Sequence, residues 1–424
     1  MSTPSLLNIP YRLKAGTLYS QIPETGLGDF TVTRATSPVN NLSTRVNSLG
    51  FIELVNDNVP RLDYPLGGAV NGCPALLVEP AATNGIRNNS MVGAVAGSPG
   101  LLPTNWTNAG SGLTRQSIVT GTLNGIPYVD IRISGTANNV FHDVFWDVSN
   151  IIAASVGQNW VASCYLQIIA QPNPPVSYAF AMREFNSGGG FLGVFTGPTL
   201  SISTTSFNRF SFTRALNQAT VAFVHPSLFI NLVNGQAYDF TIRIGYPQME
   251  IGSVATSVIH TTTQAIARGA DVIDKTGIAS LIGQTEGTIY VEAFIPKIPS
   301  AFVVGISNGL QVTEAVYLQV QTNLALSVLI RSGGTIAGPS IASANWSAGL
   351  NKVAFTYGAG SCSLVLNGGS PVPATVTNVP TCNRITLGSR VDVPGTLSLT
   401  DRIRAAAIYP NRLSNAELIA LTTP

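Results

Sequence analysis

The chain has 424 residues and a formal net charge of +2; 10% of its residues are charged and 45% are hydrophobic. The hydrophobic content excludes a disordered chain. The low charge disfavours a helical bundle, because an average soluble domain carries about 25% charged residues and a bundle needs them on its wet face. The small net charge, spread over scattered basic residues, also removes the electrostatic basis for nucleic-acid binding.

The length predicts two or three domains, since a domain usually contains about 100–200 residues. The 41 glycines and 26 prolines favour β structure with frequent turns. We expect no membrane span, because the most apolar stretch, residues 151–170, is interrupted by polar residues such as Gln158 and Asn159. The N-terminus lacks a basic region followed by an apolar run, which predicts synthesis in a cytoplasm without a secretory signal.

Residues 1–90 are predicted to form an extended docking segment. Residues 44–53 indicate two short strands around an Asn-Ser-Leu-Gly turn. Pro74 and Pro80 favour extended chain for residues 75–79, which lie between the two prolines. The segment has too few apolar residues for a core of its own. We therefore expect it to lie along another surface, either of the chain's later domains or of a neighbouring subunit.

Residues 91–265 show apolar residues at alternate positions, as in residues 128–134 and 239–246, which predicts strands with one wet and one dry face. Turn residues separate these runs at Asn124-Gly125, Gly188-Gly189-Gly190 and Asn234-Gly235. Many short strands punctuated in this way are typical of an antiparallel sandwich.

Residues 275–424 repeat the pattern and end differently. Val353, Phe355 and Tyr357 share one side of a predicted strand, and Asn367-Gly368 predicts a hairpin. Ser414 and Glu417 have the spacing of a capping box, with Leu413 and Leu418 at the hydrophobic-staple positions, so a helix of about two turns should follow. The predicted fold class is all-β: two tandem antiparallel β-sandwich (jelly-roll) domains after an extended N-terminal docking segment.

The four cysteines, Cys73, Cys164, Cys362 and Cys382, have no metal-binding spacing. Cys362 and Cys382 lie in neighbouring predicted strands, where a disulfide and a pair of buried thiols are both open.

No catalytic set is apparent, so we predict no enzyme, no cofactor and no metal. A glycan hydrolase needs two carboxylates about 5–9 Å apart, and no strand carries the Glu-x-Asp-x-Glu run that would supply them. The nearest acidic clusters, Glu53 with Asp57 and Asp271 with Asp274, lie outside the predicted sandwich strands. The three histidines, His142, His225 and His260, are far apart in the sequence. Asp392 and Asp401 are candidate calcium ligands by residue type alone.

Sugar binding needs exposed aromatic rings with polar partners. The tryptophans that could supply the rings are Trp106, Trp146, Trp160 and Trp346. We expect Trp346 and Tyr357 to be core residues instead, and the sequence does not identify a sugar site.

The C-terminal region resembles the laminin-G-like, concanavalin-A-like lectin/glucanase superfamily. The resemblance rests on Trp346, Lys352-Val353-Ala354-Phe355-Thr356-Tyr357, Leu364-Val365-Leu366-Asn367-Gly368, Ile385-Thr386-Leu387-Gly388 and Arg402-Ile403-Arg404-Ala405-Ala406-Ala407-Ile408-Tyr409, followed by Arg412-Leu413-Ser414-Asn415-Ala416-Glu417-Leu418. It implies a jelly-roll of two curved antiparallel sheets.

The rest of the chain is similar to a pattern common in phage particle proteins. The matching residues are Thr44-Arg45-Val46-Asn47, Gly50-Phe51-Ile52-Glu53, Pro60-Arg61-Leu62-Asp63-Tyr64, Pro74-Ala75-Leu76-Leu77-Val78-Glu79-Pro80, Thr83-Asn84, Gln248-Met249-Glu250-Ile251-Gly252-Ser253, Ala255-Thr256-Ser257 and Arg268-Gly269-Ala270-Asp271. Between them, Asn105-Trp106 opens a region similar to a carbohydrate-binding jelly-roll module.

These resemblances imply a structural protein on the surface of a bacteriophage particle, where it serves as a tail fibre or tail-tip adhesin or as a head fibre or spike. Its expected partners are other virion proteins, bound through residues 1–90, and host surface glycans. We expect a homo-oligomer, for example a trimer. A compact attachment is favoured over a long fibre, because fibre repeats and long heptads are absent. The alternatives are a glycan depolymerase of the particle and a host-encoded surface adhesin.

Overall fold

The computed structural model describes residues 2–67, 73–109, 111–294, 300–309, 313–321, 323, 325–337, 341–346 and 349–424, with the backbone alone for 341–345. Within these ranges the chain is almost entirely β, and the strand pairs are antiparallel, which confirms the predicted all-β fold class. No helix in the described part of the chain has the length and apolar character needed to cross a membrane.

Residues 1–90, which we call the first region, contribute β1 (Leu6–Asn8), β2 (Leu13–Lys14), β3 (Thr17–Leu18), β4 (Phe30–Thr33), β5 (Thr36–Ser37), β6 (Ser43–Val46), β7 (Ile52–Val55), β8 (Leu62–Asp63), β9 (Ala75–Val78) and β10 (Ala82–Asn84). The middle region contributes β11 (Thr107–Ala109), β12 (Leu113–Leu123), β13 (Ile126–Thr136), β14 (Phe141–Phe145), β15 (Ile152–Ala153), β16 (Asn159–Ala170), β17 (Ser177–Asn186), β18 (Phe191–Thr196), β19 (Asn208–Ala215), β20 (Val221–Asn231), β21 (Ala237–Ile251) and β22 (Ile266–Arg268).

The last region contributes β23 (Val272–Thr276), β24 (Glu286–Phe294), β25 (Phe302–Ser307), β26 (Ala315–Val320), β27 (Ala325–Ser332), β28 (Thr335–Ile336), β29 (Ile341–Asn345), β30 (Leu350–Gly358), β31 (Cys362–Leu366), β32 (Val372–Ala374), β33 (Arg384–Leu387), β34 (Asp401–Tyr409) and α1 (Asn415–Thr422). A short 3₁₀ turn, Ala279–Leu281, lies between β23 and β24.

The middle sandwich consists of a six-stranded sheet, β11-β14-β20-β17-β18 with β15 added to β20, and a five-stranded sheet, β12-β13-β21-β16-β19. Both sheets contribute to one buried core. Ile131 and Ile242 enter it from the five-stranded sheet, and Phe180 and Leu228 enter it from the six-stranded sheet. Period-two alternation places these side chains between the sheets and leaves their sequence neighbours on the outer sides.

The C-terminal sandwich incorporates strands of the first region. Its eight-stranded sheet is β32-β31-β30-β24-β34-β9-β8, with β1 also paired to β34, and its ten-stranded sheet is β2-β3-β4-β23-β33-β25-β26-β27-β28, with β29 paired to β27. Phe30 and Val32 of β4 are buried in the same core as Phe355 and Leu387. The first region therefore lies along the chain's own later strands, and its docking role stays a prediction.

Two smaller sheets complete the fold. The predicted pair of short strands around residues 47–50 is present as β6 and β7, which pair from Ser43↔Val55 to Val46↔Ile52. A three-stranded sheet, β10-β22-β5, connects the first region to the end of the middle sandwich.

The predicted turn at Asn124-Gly125 joins β12 to β13, with Leu123 paired to Ile126. Both turn residues have positive φ, 51° and 76°, as a two-residue type I′ hairpin requires. A Cβ on Gly125 would lie 2.0 Å from the carbonyl oxygen of Ile52, so glycine is needed here for contact as well as for conformation.

The predicted C-terminal helix is α1, and its capping box is confirmed. The Ser414 hydroxyl accepts from the Glu417 N–H at 3.3 Å, and the Glu417 carboxylate accepts from the Ser414 N–H at 3.0 Å. Leu413 and Leu418 are buried together, on the side of the eight-stranded sheet that faces away from the core. The helix thus covers a sheet surface that would otherwise be apolar and exposed.

Five buried charged residues, which we call the junction network, meet where the first region joins the two sandwiches: Arg34, Arg61, Glu79, Arg268 and Asp271. Each is at most 2% exposed. Arg61 forms ion pairs with Asp271 and, at 2.8 Å, with Glu79. Arg34 lies 3.1 Å from Asp271, and Arg268 lies 2.8 Å from Glu79.

Pairing determines the ionisation of the junction network. Burial by itself would raise the pKa of Glu79, but Arg268 and Arg61 hold that pKa well below its ordinary range. Burial would likewise lower the pKa of Arg61, yet Asp271 and Glu79 raise it above its ordinary value. Glu79 and Arg61 therefore stay charged, and removing a carboxylate from the network leaves its buried arginines undercompensated.

We expect Asp271→Asn to destabilise the protein by about 3–5 kcal/mol, because it removes the carboxylate that pairs with Arg34 and Arg61 and leaves three buried arginines with one carboxylate. The measurement is the free energy of unfolding in urea. The matched control is Asp239→Asn, which breaks a bidentate pair with Arg132 whose side chains are both 52% exposed. That control should cost at most about 1 kcal/mol. Equal losses in the two variants would show that the junction network contributes no special stability.

Candidate functional site

The outer side of the six-stranded sheet carries six phenylalanines around a polar centre. We call this surface the aromatic face. Alternate residues of a strand point to the same side, and directly paired residues of neighbouring strands share a side. The face consists of Phe141, Asp143 and Phe145 on β14, Arg183 and Phe185 on β17, Phe191 on β18, and Phe223, His225, Ser227 and Phe229 on β20.

Strand register brings these residues together. Asp143 pairs with Phe229, Phe145 with Ser227, and Arg183 with His225. Their sequence neighbours, such as Val144, point inward to the core. Phe191 is 59% exposed, and the other five phenylalanines are half-buried. A cluster of exposed aromatic rings on one surface marks an interaction site more often than a structural accident.

The polar centre is an ion pair joined to a hydroxyl. Arg183 donates to both carboxylate oxygens of Asp143, at 3.1 and 2.6 Å, and the Ser227 hydroxyl donates to the same carboxylate at 2.8 Å. Arg183 also lies over the Phe145 ring, 4.8 Å from its centroid. Burial raises the pKa of the Asp143 carboxyl, while Arg183 and Ser227 act in the opposite direction.

His225 extends this centre. Its ring stacks on Phe145 with centroids 4.4 Å apart, and its Nε2 lies 2.7 Å from the carbonyl oxygen of Asp147. A carbonyl oxygen only accepts, so Nε2 carries the hydrogen and Nδ1 is left as an acceptor. Burial lowers the pKa of His225, which favours the neutral ring.

Aromatic pairs flank the polar centre at both ends of β20. Phe185 contacts Phe191 edge-on with centroids 5.7 Å apart and is paired with Phe223. At the other end, Phe141 and Phe229 stack at 5.2 Å. Phe223 and Phe229 are six residues apart on one strand, which corresponds to about 20 Å at the usual rise per residue.

This arrangement can hold a ligand that has both apolar surfaces and hydroxyl groups. The flat rings offer surfaces for stacking, and the polar groups between them both donate and accept hydrogen bonds. Rigid strands fix the positions of all of these groups before a ligand arrives, which limits the entropy lost on binding.

Two cavities elsewhere are weaker candidates. A cleft of about 790 Å³ beside the three-stranded sheet is lined mainly by small apolar side chains such as Ala82, Ala153 and Ala267. A cavity of about 240 Å³ is lined in part by Glu79 and Ser257 of the junction region. The first offers few hydrogen-bonding groups, and Glu79 in the second is already bound by arginines.

The four tryptophans considered as sugar platforms are buried, at 0–5% exposure. Trp346 and Tyr357 belong to the core of the C-terminal sandwich, as predicted. Of the three histidines, only His225 lies on the aromatic face. His142 points into the core, and His260 contacts Tyr246 through Nδ1 at 3.4 Å.

The acidic residues noted in the sequence bind neighbouring groups within the fold. Glu53 pairs with Arg45 and Asp274 with Arg384, Asp57 accepts from the Thr36 hydroxyl, and Asp271 lies in the junction network. The two calcium candidates also pair with arginines, Asp392 with Arg390 and Asp401 with Arg402. Among the described residues, no group of three or more His, Cys, Asp or Glu is placed to hold a metal ion.

Cys362 and Cys382 are buried free thiols, so of the two open interpretations the structure has the unbonded one. Burial raises the pKa of Cys362 to about 11 and that of Cys382 to about 12. Cys164 is likewise buried and free, whereas Cys73 is exposed.

The sequence prediction missed the aromatic face. In β14 and β20 phenylalanines recur at positions 141, 145, 223 and 229, which alternate with the core residues. That pattern was the available signal. The sequence analysis looks for tryptophan and tyrosine as stacking rings and so does not identify this phenylalanine pattern. The pairing of Asp143 with Arg183 depends on strand register, which the sequence does not give.

No protein-family model matches the chain, and no curated protein matches it. Some solved structures are similar to it. One is the CBM40 module of the Ruminococcus gnavus IT-sialidase bound to α2,3-sialyllactose, at 17% identity and a TM-score of 0.30, covering 34% of this chain and 86% of that one. Another is the CBM22-1 xylan-binding domain of Paenibacillus barcinonensis Xyn10C, at 8% identity and a TM-score of 0.26, covering 41% and 94%.

A third similar structure is the Trypanosoma rangeli sialidase, at 11% identity and a TM-score of 0.27, covering 93% of this chain and 77% of that one. Similarities with identities and TM-scores this low do not carry a function from one protein to another.

His142, on the inner side of β14, makes stability depend on pH. Burial lowers its pKa to about 4, whereas a histidine in an unfolded chain has a pKa of about 6.5. As the pH falls below about 6.5, His142 binds a proton in the unfolded state but not in the folded state. Stability is therefore lost progressively until about pH 4. The loss from this residue should approach about 3 kcal/mol over that window.

The measurement is the urea unfolding free energy of wild type and His142→Gln at several pH values across this range. The difference between the two curves isolates His142 from the other titrating groups. The variant should lose less stability on acidification; parallel curves would show that His142 takes up a proton equally in both states.

Proposed function

We propose that this chain is a non-enzymatic structural protein on the surface of a bacteriophage particle and that it contacts host surface glycans through the aromatic face. The observation that carries the binding role is the combination of exposed phenylalanine rings with a buried, hydrogen-bonded polar centre on one rigid sheet. Sugar rings present apolar C–H surfaces and hydroxyl groups together, which is the combination that such a face complements.

Support for the particle role comes from the sequence pattern shared with phage particle proteins. Docking would use exposed residues of the first region, such as Tyr11 at 56% exposure, because half of its ten strands are already paired with later strands of the chain. Adhesion at the tail and decoration of the head remain the two roles within this proposal.

We expect Phe191→Ala and Phe229→Ala each to weaken glycan binding by about tenfold, since an aromatic contact is worth about 0.5–1.5 kcal/mol beyond its buried area. Binding is measured by screening the purified full-length chain on a glycan array and then by calorimetry with the best oligosaccharide. Phe51→Ala is the matched control, because Phe51 is 44% exposed and lies outside the face.

The control should leave affinity unchanged. If Phe51→Ala weakens binding as much as the two face variants, the site lies elsewhere. If no glycan binds the wild-type chain, the aromatic face has another partner, and analytical ultracentrifugation would show whether the Phe191 variant disrupts an oligomer.

Particle location is tested by cryo-electron microscopy of the intact phage with this chain traced in the map. We expect density on the outside of the particle with the aromatic face pointing to solvent. Density at the tail would favour adhesion, and density on the capsid would favour decoration. Absence of the chain from purified particles would overturn the particle role.

A further inference from the structure

We infer that the aromatic face selects uncharged sugars and discriminates against acidic ones such as sialic or uronic acids, because its single arginine is compensated within the face. This inference rests on the proposed function and concerns the same site. Aromatic rings alone would not distinguish an acidic sugar from an uncharged one, so the preference comes from the polar centre.

The ion pair between Arg183 and Asp143 leaves the polar centre without net charge. The guanidinium of Arg183 is the only permanently cationic group among the residues that form the face, and both carboxylate oxygens of Asp143 accept from it. The Asp143 side chain is fully buried and that of Arg183 is 11% exposed, so solvent screens the pair little. The Ser227 hydroxyl also accepts from Arg183, at 2.9 Å.

An acidic sugar gains no free cation at this surface. Its carboxylate would lose hydration against the phenylalanines and would approach the carboxylate of Asp143, and both effects are unfavourable. His225 supplies no positive charge either, because burial favours its neutral form.

Hydroxyl groups find suitable partners at the same place. Arg183 has five N–H groups, of which three are used by Asp143 and Ser227, so two can still donate. The Nδ1 of His225 can accept. A neutral sugar can therefore exchange its water hydrogen bonds for equivalent ones while its ring stacks on phenylalanine.

The experiment compares affinities of the full-length chain for neutral and acidic oligosaccharides by calorimetry. The neutral probes are cellohexaose, xylohexaose and maltohexaose, and the acidic probes are hexagalacturonate and 3′-sialyllactose. We expect the best neutral probe to bind at least tenfold more tightly than either acidic one. Its affinity should change less than twofold between about 50 and 500 mM NaCl, because no net charge is screened.

Asp143→Asn tests the cause, since it keeps the shape of the side chain and leaves Arg183 uncompensated. This variant should bind hexagalacturonate or 3′-sialyllactose at least about tenfold more tightly than wild type does, with an affinity that falls as salt is added. Asp239→Asn is the matched control: it frees Arg132, whose pair lies on the other sheet, and should leave the preference unchanged.

Tighter binding of an acidic probe by the wild type, or a steep salt dependence for the neutral ones, would overturn this inference and leave glycan binding itself intact. Failure of every probe and of the glycan array would overturn the proposed function instead. If Asp143→Asn does not fold, as judged by circular dichroism, the wild-type comparison and its salt dependence decide the question alone.

Discussion

Charges buried away from water are costly unless each has a partner, and the junction network places five of them in one small volume. Its members come from loops and strand ends that are far apart in sequence, from Arg34 to Asp271. Each pairing therefore fixes the position of one segment relative to another. The first region, the middle sandwich and the C-terminal sandwich meet at this point, so their mutual arrangement depends on it.

A second chain of contacts links the first region to the aromatic face. Arg87, three residues after β10, forms an ion pair at 2.6 Å with Asp147, whose carboxylate also accepts from the Arg87 N–H at 2.9 Å. The backbone carbonyl of Asp147 in turn accepts from His225. The first region thus positions a residue of the face, although none of its described strands belongs to the six-stranded sheet. The aromatic face and the first region are connected through the buried residue Asp147.

Local features were predictable from the sequence and non-local ones were not. The Asn124-Gly125 hairpin and the Ser414–Glu417 capping box each depend on residues within a few positions, so their chemistry can be read directly. The pairing of Leu6 with Ile408 and the contact between Arg183 and Asp143 depend on strand register across the whole fold. The residues that match the phage-particle pattern include Arg61, Glu79, Arg268 and Asp271, and in the structure these four belong to the junction network.

Strand β34 receives β24 along one side and both β1 and β9 along the other. On a ribosome, β1 and β9 are made hundreds of residues before this partner exists. β9 can pair early with β8, but neither β1 nor β9 can pair with β34 until residues 401–409 emerge, and the long loops to be closed make that step slow. A chain cut short before β34 could not complete the eight-stranded sheet. A truncated chain would therefore fail to fold completely.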